Sequence, residues 1–106
     1  MISSPLGKRL KEARLAAKFS QKTLGMAAGI DEFSASARMN HYEKGRHAPD
    51  YSLLKRIASI LKVPVAYFYA ESDELAEWIK LFSQTKKAKR AAILKEIVPT
   101  YQNSLN

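Results

Sequence analysis

The 106-residue chain contains no cysteine. Disulfide frameworks and thiolate zinc sites are therefore excluded, nothing speaks for an oxidising compartment, and the cytoplasm is the expected location. Glycine and proline are scarce, four of each, which rules out low-complexity linkers and leaves these residues as punctuation between elements. Long apolar runs are missing too. Those at residues 63–70 and 91–94 fall far short of the roughly 20 residues a membrane-spanning helix needs. The first seven residues hold no basic start followed by an apolar stretch, so neither a leader nor an anchor is expected. Alternation with period two does not occur over a useful length, which excludes a sheet-based architecture and points to an all-α chain.

What is present is globular and basic. Hydrophobic residues make up 46% and charged residues 26%, enough for one modest core in a chain too short for two. Eighteen Lys and Arg against ten Asp and Glu leave a net charge of +8. Such an excess favours an anionic partner, either nucleic acid or a membrane surface, without choosing between them. It is uneven. Residues 1–70 hold twelve basic and five acidic side chains, residues 71–106 six and five, so the basic function belongs to the first part.

Helical spacing divides the chain. Ser4 and Pro5 open a first helix carried by Leu6, Leu10, Ala13 and Ala17 and ending near Lys18. Ser20 caps a short second helix with Leu24, Ala27 and Ala28 on its apolar face, closed by Gly29 in the left-handed region. A polar stretch at residues 31–36 precedes a third helix at 37–44, with Met39 and Tyr42 inward and Gly45 as its stop. Pro49 and Asp50 start a fourth, whose Leu53, Leu54, Ile57, Ala58, Ile60 and Leu61 form a wide buried face. Lys62 breaks that run and Pro64 opens a short fifth helix with Val65 and Phe68 inward. Glu71, Asp73 and Glu74 favour the start of a sixth, striped by Leu75, Trp78, Ile79 and Phe82. A last helix runs from about Lys86 to Val98, where Pro99 stops it. Met39, Tyr42, Trp78 and the aromatic group at 67–69 are expected in the core.

Residues 20–45 carry the function: a capped short helix, a glycine turn, a polar approach and a second helix with a glycine stop. A helix-turn-helix needs such a pair, the second helix polar outside and apolar beneath. The run from Leu6 to about Phe68 resembles the Cro and phage-repressor type of helix-turn-helix domain, the XRE family. The resemblance rests on Arg14; on Phe19, Ser20, Gln21 and Leu24; on Gly29 and Ile30; on Tyr42 to Gly45; and on Pro49, Leu54, Ile57, Ala58, Leu61, Val63 and Pro64. It implies a five-helix, lambda-repressor-like bundle, here with one or two added C-terminal helices, that binds duplex DNA. It also implies that Gln21 holds a phosphate and that Arg14 and Glu43 form a structural ion pair. Two departures stand out. Gly29 and Glu43 are fourteen positions apart, longer than the family commonly has, with Asp31, Glu32, Phe33 and Ser34 as the added length; and Gly25 stands where alanine is usual. The acids are expected to cap the third helix or turn away from DNA, and the extra length could instead extend that helix at its N-terminus.

Counting back from Glu43 puts the base-reading positions at Ser36, Ala37 and His41, with Arg38 and Asn40 beside them. Arg38 has the planar fork that suits guanine O6 and N7. Lys44 and Arg46, at the helix end, suit backbone phosphate. An enzyme or metal site finds no support: His41 and Glu43 diverge on a helix, His47 lies beyond it, and no further ligand completes a set. No cofactor is expected. The sequence thus indicates a small transcriptional regulator, most simply a repressor, acting as a homodimer on a pseudo-palindromic operator. Residues 1–70 would form its DNA-binding domain. Residues 71–106 would form an extension whose Leu75, Trp78, Ile79, Phe82, Ile93 and Ile97 either dimerise, cover their own chain, or hold a protein partner in the manner of an antitoxin or antirepressor.

Overall fold

The computed structural model describes residues 4–105, and all regular elements among them are helical. They are α1 (Leu6–Ala16), α2 (Gln21–Ala27), α3 (Glu32–Glu43), α4 (Tyr51–Leu61), a 3-10 helix (Val65–Tyr69), α5 (Asp73–Gln84) and α6 (Lys87–Leu105). Side-chain caps set most of the starts. Ser20 accepts from the Thr23 N–H at 3.0 Å, Asp50 from Leu53 N–H at 2.8 Å and Ser72 from Leu75 N–H at 3.0 Å, each satisfying a donor that the first helical turn leaves free. Gly29 closes α2 at φ +96°, a conformation that disfavours any residue with a Cβ. The segments after α1 and α4 turn instead on Lys18 and Lys62, at φ 62° and 58°.

These helices enclose one core. Leu6, Leu10 and Ala13 of α1 meet Leu24 of α2, Ala35, Met39 and Tyr42 of α3, and Leu53, Leu54, Ile57, Ala58 and Leu61 of α4. Tyr67 and Phe68 close it from the 3-10 helix, and Ala76 adds a corner of α5.

Two boundaries and one helix type differ from the sequence expectation. The third helix begins at Glu32 rather than Ala37, because Asp31 caps it by accepting from the Phe33 N–H at 3.0 Å. Glu32 then lies in a first turn where the helix dipole favours an acid. The fifth helix is a five-residue 3-10 turn, the tighter form usual for so short a piece. Pro99 lies inside α6, which continues to Leu105. Proline lacks an N–H, so it removes one bond to the preceding turn, but its ring already sits near helical φ and the chain resumes.

The outline is long, 55 × 35 × 22 Å, with a radius of gyration of 16.4 Å against about 13 Å for a compact domain of this length. The C-terminal helices make it so. Among the described residues α5 touches the 3-10 helix, while α6 contributes nothing to the core. No helix among them is long and apolar enough to cross a membrane.

Candidate nucleic-acid interface

α3 is clasped by α1 and α2. Gly25 of α2 faces Ala35 so closely that an added Cβ would stand 3.0 Å from the Ala35 Cβ and 3.1 Å from Met39 Cγ. The alanine usual at this position in the resembling family would therefore crowd α3. Gly7 of α1 is tighter still, since a Cβ there would collide with the Glu43 carbonyl. With Ala35, Met39 and Tyr42 buried, the helical repeat directs Phe33, Ala37 and Lys44 outward, with half-buried Asn40 between them on the same stripe. Ser36 and His41 flank that stripe. Four residues are about one turn of helix, and Glu32, Phe33 and Ser34 form the first turn of α3.

A buried ion pair fixes the other end of α3. Arg14 Nε and Nη2 donate to the two carboxylate oxygens of Glu43 at 2.6 and 3.0 Å, and Arg14 Nη1 donates to the Phe19 carbonyl at 2.9 Å. The side chains are only 10% and 4% exposed. Gln21 joins them, its amide donating to Asn40 Oδ1 at 3.3 Å and Glu43 Oε1 at 3.2 Å. Gln21 is thus tied to α3 within the protein, while remaining half-buried at the rim of a cleft of about 400 Å³ lined by Lys11, Arg14, Ser20, Gln21, Asn40, Glu43 and Lys44. Lys11 and Lys44 are exposed and make no ion pair among the described residues. Nothing in the pattern of α1 distinguishes Lys11 from Lys8; only the fold carries it to this cleft.

The acids near the start of α3 are occupied. Asp31 caps the helix and accepts from the Ser34 hydroxyl at 3.4 Å, and Glu32 pairs with Lys22 at 3.7 Å. Arg38 is exposed but leans along the helix flank, where Nη2 donates to the Tyr42 hydroxyl at 2.8 Å. His41 and His47 approach with ring centroids 5.4 Å apart, and Arg46 is exposed beside them in sequence. Among the described residues no three His, Asp or Glu side chains converge on a metal position.

A second buried arginine joins this bundle to the C-terminal helices. Arg9, 2% exposed, donates from Nε to the Ala70 carbonyl at 3.0 Å and from Nη1 to Glu12 at 3.0 Å and Asp73 at 2.8 Å. The Arg9 and Lys8 hydrogen bonds hold the Asp73 carboxyl below the usual aspartate range. The expected C-terminal face divides. Ile79 leans on the core, whereas Leu75, Trp78, Phe82, Ile93, Leu94 and Ile97 are exposed, as is Leu81, which the stripe read from the sequence does not include. Trp78, at 59%, and Tyr69, at 53%, are thus not core residues: the bundle is already closed by Tyr67 and Phe68. Arg90 stacks over the Phe82 ring at 4.4 Å, one of few links between α5 and α6.

A bundle whose second and third helices meet at a glycine corner, the third presented outward and pinned from below, is a helix-turn-helix. A helix-turn-helix domain model matches residues 5–67, and the chain belongs to that family. The chain is similar to an uncharacterised transcriptional regulator in the ATPase CF(0) region of Rhodospirillum rubrum, 30% identical over 72 residues. The match covers 68% of this chain and 63% of that protein, so the likeness spans less than two thirds of the relative. Among solved structures, the transcriptional regulator BswR is 47% identical with a TM-score of 0.82, over 88% of this chain and 92% of that one. This likeness extends beyond the five-element bundle into the C-terminal helices.

Proposed function

We propose that the protein is a transcriptional regulator that binds duplex DNA sequence-specifically, with α3 in the major groove. The observation that carries this reading is the outward stripe of α3, unobstructed by the C-terminal helices and bordered by Lys11, Arg38, Lys44 and Arg46. Ser36, Ala37, Asn40 and His41 are placed to meet base edges. Arg38 reaches guanine by exchanging its bond to Tyr42 for O6 and N7, while Gln21, Lys11, Lys44 and Arg46 hold phosphates. Arg14 and Glu43 serve the fold.

Homodimerisation completes the proposal, with repression by occlusion as its simplest outcome. Leu75, Trp78, Phe82, Ile93 and Ile97 leave an apolar surface that water does not favour. The acidic start of α5 (Asp73, Glu74, Glu77) and the basic start of α6 (Lys87, Lys89, Arg90) give both signs needed for a self-complementary contact. The same surface supports a second reading, in which it holds a different protein as antitoxins and antirepressors do. Mass in solution separates them, since a pure, stable homodimer favours the regulator and a stoichiometric partner the alternative.

Selection of bound sequences from random duplexes tests the principal reading. The expected result is a pseudo-palindrome with half-sites about 10 base pairs, one helical turn, apart. Recovery of no preferred sequence would remove it.

A further inference from the structure

We infer that Phe33 is a base-reading residue that packs against the 5-methyl group of a thymine in each half-site, so that part of the sequence preference is an apolar one. This rests on the major-groove reading above and adds the kind of base edge that the first turn of α3 takes. Phe33 is 92% exposed, the most exposed of the large hydrophobic side chains described. No packing inside the chain accounts for a phenyl ring there. Its place does: it is the second residue of α3, and the N-terminal part of the second helix is what enters the groove in this architecture. Spacings of four, three and four align it with Ala37, Asn40 and Lys44 on the outward stripe, so Phe33 and Ala37 form an apolar step ahead of two polar residues.

Only one feature of the major groove suits such a step, the thymine methyl; every other edge presents a donor or acceptor. The charges around Phe33 allow the approach. Asp31 is bound to the helix's own N–H and hydroxyl groups and Glu32 to Lys22, which leaves no unpaired carboxylate at the tip. Because the ring rests on nothing, its removal leaves the fold intact.

The test uses the full chain and its selected duplex, with each thymine replaced in turn by deoxyuridine, which lacks only the methyl. One position per half-site should weaken wild-type binding roughly three- to fivefold, the worth of one buried methyl group. Phe33→Ala, with an unchanged melting temperature, should lose affinity for the thymine duplex and be indifferent to the replacement at that position. If every deoxyuridine duplex bound as tightly as the parent, or if Phe33→Ala responded to the replacement as fully as wild type, the assignment would be overturned while the major-groove reading stood. If wild type did not distinguish the selected duplex from a scrambled one, the reading beneath it would fall as well.

Discussion

Glu43 is the residue on which the candidate interface mechanically depends. Replacing it with alanine strands the Arg14 guanidinium, which is only 10% exposed, and removes an acceptor from the Gln21 amide. Breaking a buried pair on one side costs about 3 to 5 kcal/mol. Glu43→Ala should therefore lower the melting temperature sharply, and the double variant Arg14→Met, Glu43→Leu should recover much of the loss; an unchanged melting temperature in the single variant would contradict the pairing. Gly7 makes a second demand. Alanine there gains about 1 kcal/mol of helix propensity, but a Cβ driven into the Glu43 carbonyl forces α1 off α3, and such overpacking typically costs about 1 to 3 kcal/mol. Denaturant unfolding of Gly7→Ala should accordingly show a net loss; a gain would mean that the two helices separate without penalty. Arg14 and Glu43 could be paired from the sequence because the family resemblance supplies both. Gly7 could not. A glycine within a helix reads only as a weak helix former, and the backbone it approaches lies 36 positions away at Glu43.

At the scale of elements, the spacing of apolar residues located every helix, caps at Ser20 and Asp50 anchored two starts and the acidic cluster before Leu75 a third, where the structure adds a Ser72 cap. The start of α3 was harder to read. Residues 31–36 look like loop on polarity, since only Ala35 is inward, and the decisive fact is the Asp31 cap. Pro99 misled for the opposite reason, as a strong stop signal at an exposed position where one lost bond is tolerable. The joint between α1 and α5 was invisible, because Arg9 and Asp73 are 64 residues apart and each reads as a surface charge. This joint should respond to acid. Asp73 titrates below its ordinary value of about 4, so its contribution is present above that value and fades as pH falls through the lowered one. Protection of the α5 amides relative to their intrinsic exchange rates should hold steady from neutral pH to about 4 and fall only in stronger acid; Asp73→Asn should be less protected at neutral pH and lose that dependence. Identical exchange in the two proteins would show that the aspartate does not hold α5 in place.

For the whole molecule, the feature to be explained is the exposed apolar face of α5 and α6. Their elongated arrangement leaves Trp78, Leu81, Phe82 and Leu94 about half exposed, which a monomer gains nothing by keeping. A dimer formed there would hold two α3 helices at a fixed separation, with the Arg9 joint transmitting it. Leu81→Glu combined with Leu94→Glu should halve the mass in sedimentation without loss of helix content and weaken operator binding far more than binding to one half-site. A monomeric wild type would contradict the arrangement. On the proposed docking the contacts divide by kind: Arg38→Ala should relax particular base positions by about 1 to 3 kcal/mol, whereas Lys44→Ala should weaken all sequences alike and flatten the salt dependence.

The central claim, that the outer stripe of α3 lies in the major groove, is tested most directly by methylation interference on the selected duplex. Guanine N7 faces the major groove and adenine N3 the minor. The account predicts that methylated guanine N7 within each half-site prevents binding while methylated adenine N3 is tolerated there. The reverse pattern would contradict it.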